Sequence, residues 1–289
     1  MDQPITSPIL AKKRIAEAVG DMRDQLALSQ TALARKLGCS PGTVGMYESR
    51  QRVPNEDFLR KLVKLCGRED ELDELLDVRR IAKRREPEWR GIDEGAFLLG
   101  FDEFVSLEQA AERIDCYETR MIPGLLQTPD YAWSALNSGS STAGSSARFK
   151  IRMRRQELLS RENPARLWVI LDEQALNRPI GSPEIMRAQF DYLLSLPERY
   201  EGRVRLQVYP VSAPPSTSPF TMLRFASPHD AGVVAVETRI RTIFFHRPAE
   251  INQFVYELDH LREIALPSDQ SAELIKRRRR EIGDAQGIR

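Results

Sequence analysis

Between residues 29 and 54 the chain carries a run of punctuation that admits very few folds. The segment reads Ser29-Gln30-Thr31-Ala32-Leu33-Ala34-Arg35-Lys36-Leu37-Gly38-Cys39-Ser40-Pro41-Gly42-Thr43-Val44-Gly45-Met46-Tyr47-Glu48, followed by Ser49-Arg50-Gln51-Arg52-Val53-Pro54. Ser29 supplies an N-cap, and Leu33 with Leu37 makes an apolar stripe at helical spacing. Gly38 stops that helix, at a place where a left-handed backbone is cheap for glycine. Ser40 and Pro41 open a second helix, with serine as the cap and proline at the first helical position, where a missing N–H costs nothing. Cys39, Val44 and Tyr47 give this helix an apolar side, and Ala34 is small where two helices must cross closely. The pattern predicts two short helices set steeply across a tight turn, a helix-turn-helix arrangement. Such a unit projects its second helix far enough to enter the ~12 Å major groove of duplex DNA.

Further helices are expected around it. Leu10 to Leu26 places Ile15, Val19, Met22 and Leu26 at helical spacing, Asn55 or Glu56 opens a helix ending at Cys66 and Gly67, and Glu69 to Arg85 reads as a fifth helix. At 289 residues the chain is long for one domain, and two is the expectation. Charge divides along the same line. Overall the balance is only +1, from 43 basic and 42 acidic side chains, yet residues 1–66 carry a net +4 and residues 86–289 a net −3. This is compatible with nucleic-acid binding by the front of the chain and disfavours a large DNA-binding surface on the rest.

The remainder mixes strand and helix. Residues 86–106, with Pro87, Gly91, Gly95 and Gly100, read as a linker, and Leu107 to Tyr117 as a helix. Asn137 to Ala147 is almost entirely Ser, Gly, Thr and Ala and reads as a loop, followed by a basic helix from Ala147 to Ser160. Leu167–Leu171 suits a central strand, Pro183–Leu196 a helix, and Val204–Val208 a half-buried strand, which together make a parallel βαβ unit. Phe220–Phe225 and Val233–Glu237 flank Ser227-Pro228-His229-Asp230 as an antiparallel hairpin, Thr242–His246 is another strand, and two helices, Pro248–Ala265 and Ser268–Ile282, close the chain. The expected architecture is therefore multidomain: an all-α helix-turn-helix domain over residues 1–85, a linker over 86–106, and an α+β domain with a small mixed sheet over 107–289.

Several classes drop out. No apolar run approaches the length of a membrane span, and Met1-Asp2-Gln3-Pro4 lacks the pattern of a signal peptide. Cys39, Cys66 and Cys116 are few and far apart, and with His229, His246 and His260 they give no metal-ligand spacing. A soluble, reduced, cytoplasmic chain with no cofactor is expected. Asp172, Glu173 and Glu237 end apolar strands as paired catalytic carboxylates would, but a helix cap at Asp172 and ion pairs with Arg178, Arg187 or Arg239 are the favoured reading. No nucleophile elbow and no phosphate-cradling G-x-x-x-x-G-K occur, so no enzymatic activity is expected. For the basic stretch Arg148–Arg161 pairing within its own domain is favoured over phosphate binding, and for Lys276–Arg280 a solvated helix end.

The segment from Ser29 to Pro54 resembles the XRE-type helix-turn-helix of phage-repressor-like regulators, both in Ser29-Gln30 opening one helix and in Tyr47–Pro54 closing the next. The resemblance places Ser40, Pro41, Gly42, Thr43 and Met46 toward base edges, Gln30 at a phosphate or base edge, and Arg50 and Arg52 at phosphates, with Arg35 and Lys36 as further candidates. Glu48 is expected to be structural, because a carboxylate facing DNA would repel it. Arg50 departs from the family, which often has Gly there, so a left-handed backbone at Arg50 stays open. Farther on, Phe104–Ala111, Ile122-Pro123-Gly124-Leu125-Leu126-Gln127-Thr128-Pro129, Arg152–Leu159 and Leu171–Leu176 make the whole chain similar to the WhiJ-like regulators of actinomycetes. That resemblance implies a transcription regulator paired with a small acidic-to-neutral protein encoded nearby. The chain departs from it at Pro214–Pro219, where relatives commonly carry a Gly-rich turn, and in the long Ser/Gly loop. The base-facing set is poor in side chains that make bidentate base contacts, so a homodimer on a near-palindromic double-stranded operator is expected. The apolar turn Ile122–Thr128, the Asn137–Ala147 loop and the Ser212–Pro219 segment are the expected adjustable parts of a regulated C-terminal half. An antitoxin-like interaction module with autoregulatory DNA binding is the alternative, and a DNA-targeted hydrolase a remote one.

Overall fold

In the computed structural model, residues 8–84, 99–138, 144–215, 218–226 and 232–284 are described. The chain forms two compact units, Met1–Glu88 and Trp89–Arg289. In the first, five α-helices are seen among the described residues: α1 (Pro8–Gln25), α2 (Gln30–Leu37), α3 (Pro41–Glu48), α4 (Glu56–Cys66) and α5 (Leu72–Ala82), the last preceded by a single 3-10 turn. Their apolar stripes converge on one core containing Ile15, Val19, Met22, Leu33, Val44, Leu59 and Leu62. The caps follow the sequence. Ser29 Oγ accepts from Ala32 N, Asn55 Oδ1 accepts from Phe58 N, and Gly38 and Gly67 end α2 and α4 in the left-handed conformation.

The second unit is built on a six-stranded sheet of order β3-β2-β1-β4-β5-β6, with β1 (Arg113–Glu118), β2 (Arg166–Asp172), β3 (Val204–Tyr209), β4 (Phe220–Arg224), β5 (Val233–Glu237) and β6 (Thr242–Phe245). β1, β2 and β3 run parallel, while β4, β5 and β6 continue antiparallel from β1. The sheet is thus mixed, and the expected βαβ unit is present as β2, α9 (Glu173–Asn177), α10 (Pro183–Arg199) and β3. The remaining helices are α6 (Phe101–Ala110), α7 (Pro129–Asn137), α8 (Ser145–Arg155), α11 (Pro248–Ile264) and α12 (Ser268–Asp284). On one sheet face Tyr117, Ile170, Tyr209, Phe220, Met222 and Val234 pack with Ile251, Leu258 and Leu261 of α11.

Three expectations need correction here. Residues 113–117, read as helix, form the strand at the centre of the sheet. Asp115 lies in the middle of this strand, with its carboxylate fully buried among arginines. The linker read over 86–106 is too long. Residues 85–98 lie outside the described set, but Phe101 to Ser106 are helical, with Phe104 and Val105 buried. Of the expected Asn137–Ala147 loop, residues 139–143 lie outside the described set, while Asn137 ends α7 and Ser145 to Ala147 already belong to α8.

The Ile122–Thr128 turn, read as adjustable, is tied from several sides. Gln127 Nε2 donates to Ile122 O at 2.7 Å, Gln156 Nε2 donates to Gly124 O at 2.9 Å, and fully buried Gln189 donates to Leu126 O while accepting from Thr128 N, both at 2.7 Å. The Ser227–Asp230 turn lies outside the described residues.

Candidate nucleic-acid interface

Helices α2 and α3 meet across Gly38, whose φ of 72° turns the chain without strain while Cys39 N donates to Ala34 O at 3.0 Å. Val44 and Tyr47 anchor α3 in the core, Tyr47 edge-on to Phe58 at 4.8 Å. That anchoring turns the opposite side outward. Ser40, Pro41 and Gly42 are exposed, and Thr43 and Met46 are half-buried beside them. Ser40 has the extended backbone of an N-cap, but its hydroxyl makes no cap bond and instead lies 2.7 Å from that of Thr43. The two hydroxyls form one polar tip on the first turn of the helix.

Behind this strip sits a network that sequence reasoning found only in part. Glu48, expected to be structural, takes Arg23 Nε on one carboxylate oxygen at 2.6 Å and Gln30 Nε2 on the other at 2.7 Å. Arg23 Nη1 also donates to Leu28 O at 3.1 Å, so one carboxylate ties α1, α2 and α3 together. Hydrogen bonding to Glu48 raises the Arg23 guanidinium above its ordinary pKa. Arg23 carries no local signal in the sequence, because its partner is 25 residues away. Gly45 is the other missed residue: a Cβ there would come within 3.2 Å of Gln30 Oε1, so glycine leaves the glutamine room to lie across α3. Gln30 is therefore both exposed and committed through one amide donor to Glu48.

Past α3 the chain turns at Arg50, which does adopt the left-handed conformation, with φ 63°. Arg50 N donates to Tyr47 O and Arg52 N to Met46 O, each at 3.1 Å, closing the helix end. Arg50 carries the strain of a side chain in this region, roughly 1–2 kcal/mol. Arg52, Arg35 and Lys36 are exposed and Arg50 is half-buried. All eight residues that the resemblance places at DNA, Gln30, Ser40, Pro41, Gly42, Thr43, Met46, Arg50 and Arg52, lie on α2, on α3 or on the turns that bound α3.

Residues 14–76, which hold this geometry, match the family described as "Helix-turn-helix domain". Residues 101–277, more than half of the chain, match the family described as "Domain of unknown function (DUF5753)". The chain belongs to the DUF5753 family. The DUF5753 match begins at Phe101, the first residue of α6. A relative from Archaeoglobus fulgidus, named "Uncharacterized HTH-type transcriptional regulator", is 32% identical over 119 residues, covering 35% of this chain and 52% of the relative. The chain thus spans about half the length of that curated relative.

Within the DUF5753 region the carboxylates singled out from sequence do not form a pair. Asp172 caps α9 by accepting from Gln174 N at 2.8 Å. Glu173 is buried and pairs with Arg278 at 2.9 Å while accepting from Val211 N, rather than meeting Arg178, Arg187 or Arg239 as expected. The Lys276–Arg280 run, expected to be a solvated helix end, is also paired: Lys276 with Glu273, Arg278 with Glu173 and Glu281, and Arg279 with Asp191. In the stretch Arg148–Arg161, Arg155 forms a two-pronged pair with Glu108, and Arg161 donates to Gln109 O and Ala111 O. The three cysteines are free thiols. Among the described residues no cluster of metal-ligating side chains occurs, and no helix is long and apolar enough to cross a membrane.

Glu237 lies near Glu118 instead, the two ending the strands on either side of β4. Burial raises the Glu118 carboxyl to about 7, and the Glu237 charge adds to the rise. The folded unit therefore holds a proton that the unfolded chain releases. The stabilisation this gives is complete below about pH 4.5 and is lost as pH rises through about 7. Urea unfolding is expected to show Glu118→Gln gaining on the wild type by on the order of 2 kcal/mol between pH 5 and pH 8. A constant difference across that range would contradict the assignment.

Proposed function

We infer that this chain is a transcription regulator that grips duplex DNA through α2 and α3. The observation that carries the reading is the outward strip Ser40–Thr43 and Met46, braced from behind by the Arg23–Glu48–Gln30 network. The Helix-turn-helix domain match supports it, as does the name of the archaeal relative. In this reading Thr43 meets a thymine methyl or a base edge, and Gly42 lets the backbones approach closely. Gln30 uses the part of its amide not bound to Glu48 toward a phosphate or base edge, and Arg50 and Arg52 neutralise phosphates. With so few bidentate side chains one copy reads little sequence. The working species is therefore a homodimer on a near-palindromic operator, with half-sites about 34 Å apart or a multiple of that. The reading assigns no reaction and no cofactor, and it places the regulator in the cytoplasm.

The C-terminal unit is then the regulated half, and the resemblance to WhiJ-like regulators favours a small protein from a neighbouring gene as its input. A small ligand is the second source of input. It is favoured by an 830 Å³ groove lined by Leu176, Pro179, Met186, Arg278, Glu281 and Ile282. Either input must bind the DNA-competent and DNA-incompetent states differently, by about 1.4 kcal/mol for a tenfold change in operator affinity.

Selection from a random duplex pool with the full chain tests the reading. An enriched near-palindrome is expected, and Thr43→Val should change the preference at one position per half-site, by about 1–3 kcal/mol of discrimination. A pool with no enriched sequence, or an unchanged preference for Thr43→Val, would contradict it.

A further inference from the structure

Three neighbouring strands of the C-terminal sheet, with the residue just before β3, each place an arginine in one row. The register sets Arg113 opposite Arg166 on one side and Arg224 on the other. Arg203, whose carbonyl accepts from Leu167 N at 3.0 Å, extends the row beyond Arg166. At about 4.8 Å between strands the row is about 14 Å long. One step along the same face lie Arg205, Trp168 and Asp115, and Arg262 reaches in from α11.

These guanidiniums outnumber the carboxylates that hold them. Fully buried Asp115 takes Arg262 at 2.6 Å and Arg113 at 3.0 Å, with Arg224 at 3.7 Å. Arg262 pairs also with Asp259, and Arg203 with Glu201. The hydrogen bonds of Arg224 go to Met222 Sδ, a weak acceptor, at 3.2 and 3.4 Å. Burial lowers the pKa of Arg224, and the neighbouring Arg113 and Arg262 charges lower it further. Around Trp168 the cations of Arg262, Arg205 and Arg113 stand 4.2, 5.4 and 5.8 Å from the ring centroid. Six arginines therefore share three paired carboxylates, and Arg166 and Arg205 are exposed. Such a cluster is organised by its buried carboxylate and left short of negative charge.

We propose that this arginine row is a second surface for duplex DNA, one that takes backbone phosphates and reads no bases. The proposal rests on the DNA-binding reading above. A strip favours an extended polyanion over a small anion, which would seek a concave pocket. Its length spans about four phosphate-to-phosphate steps of one strand, at about 3.4 Å of helix axis per step. Arginine forks suit phosphate geometry, and the side chains of Arg113, Arg203 and Arg224 remain 35–37% open to solvent. The acidic balance of the rest of the unit confines the contact to this row.

The test uses the full chain, with affinity for the selected duplex and for an unrelated duplex measured across a salt series. Arg166→Gln/Arg203→Gln/Arg205→Gln leaves the Asp115 pairs intact. It should lower the slope of log affinity against log salt by about 2.7 per bound protomer, at about 0.9 per contact, and should weaken both duplexes alike. Arg239→Gln/Arg241→Gln/Arg247→Gln, with the same change of charge, should leave the slope unchanged. If the triple variant melts uncooperatively, Arg166→Gln alone carries the test, with an expected loss of about 0.9 per bound protomer. An unchanged slope, or equal losses in both triple variants, overturns the proposal while the helix-turn-helix reading stands. Melting stabilised by inorganic phosphate in the wild type but not in the variant, with no change of slope, assigns the row to free phosphate groups and also overturns it. Failure of the wild type to bind any duplex overturns both readings.

Discussion

Truncating Glu108 to Ala is expected to cost the C-terminal unit about 3–5 kcal/mol, measured by urea unfolding. The Arg155 guanidinium it leaves behind is buried, held by both Glu108 oxygens at 2.7 Å and covered by Phe101 and Phe104 at 5.5 and 5.2 Å. Water cannot take over from the carboxylate there, and arginine cannot shed its proton to escape. The loss should therefore exceed the net worth of the pair. Replacing both partners, as Glu108→Leu/Arg155→Met, should recover most of it, because an apolar pair of similar volume needs no counter-charge. If the double variant were as unstable as Glu108→Ala, packing against the two phenylalanines would be the dominant contribution instead.

The second large effect concerns DNA. For each bound protomer, Arg50→Asn/Arg52→Gln is expected to weaken binding to every duplex by about 30-fold near physiological salt and to reduce the salt slope by about 1.8. Asparagine tolerates the left-handed backbone that residue 50 adopts, so the helix end keeps its φ of 63° and the change removes charge rather than geometry. Sequence preference should be retained, since phosphate contacts position the protein and base contacts specify. A variant that bound one sequence normally and lost another would place these arginines at base edges. Isotherms on two unrelated duplexes across a salt series make the distinction.

Much of the N-terminal unit was legible because its signals are local. Ser29, Gly38, Ser40-Pro41 and Gly67 each act within three or four residues of themselves, so helix starts and stops can be read without knowing what they pack against. What lay beyond reach was long-range. Arg23 gives no sign that Glu48 is its partner, and Gly45 reads as a poor helix residue until Gln30 is seen lying over it. The centre of the sheet failed for a related reason. Arg113 to Glu118 alternates apolar and polar residues as a half-buried strand would, but the polar side of β1 holds a carboxylate at full burial. Arg113 two residues before it and the arginines brought from β4 and α11 make that tolerable. Glu173 likewise found Arg278, 105 residues on, where nearer arginines were the local guess. Charge patterns predict faces well when those faces meet water, and poorly when the fold itself supplies the counter-charge.

Amide hydrogen exchange on the full chain, with and without a selected duplex, tests the central claim most directly. Slowed exchange is expected from Cys39 to Arg52 and at the start of α2, where the outward strip and its bracing network lie. Exchange in the core of α4 and α5 should change little beyond the overall gain in stability. Tight binding with no protection between Gln30 and Arg52 would contradict the assignment of this face to DNA.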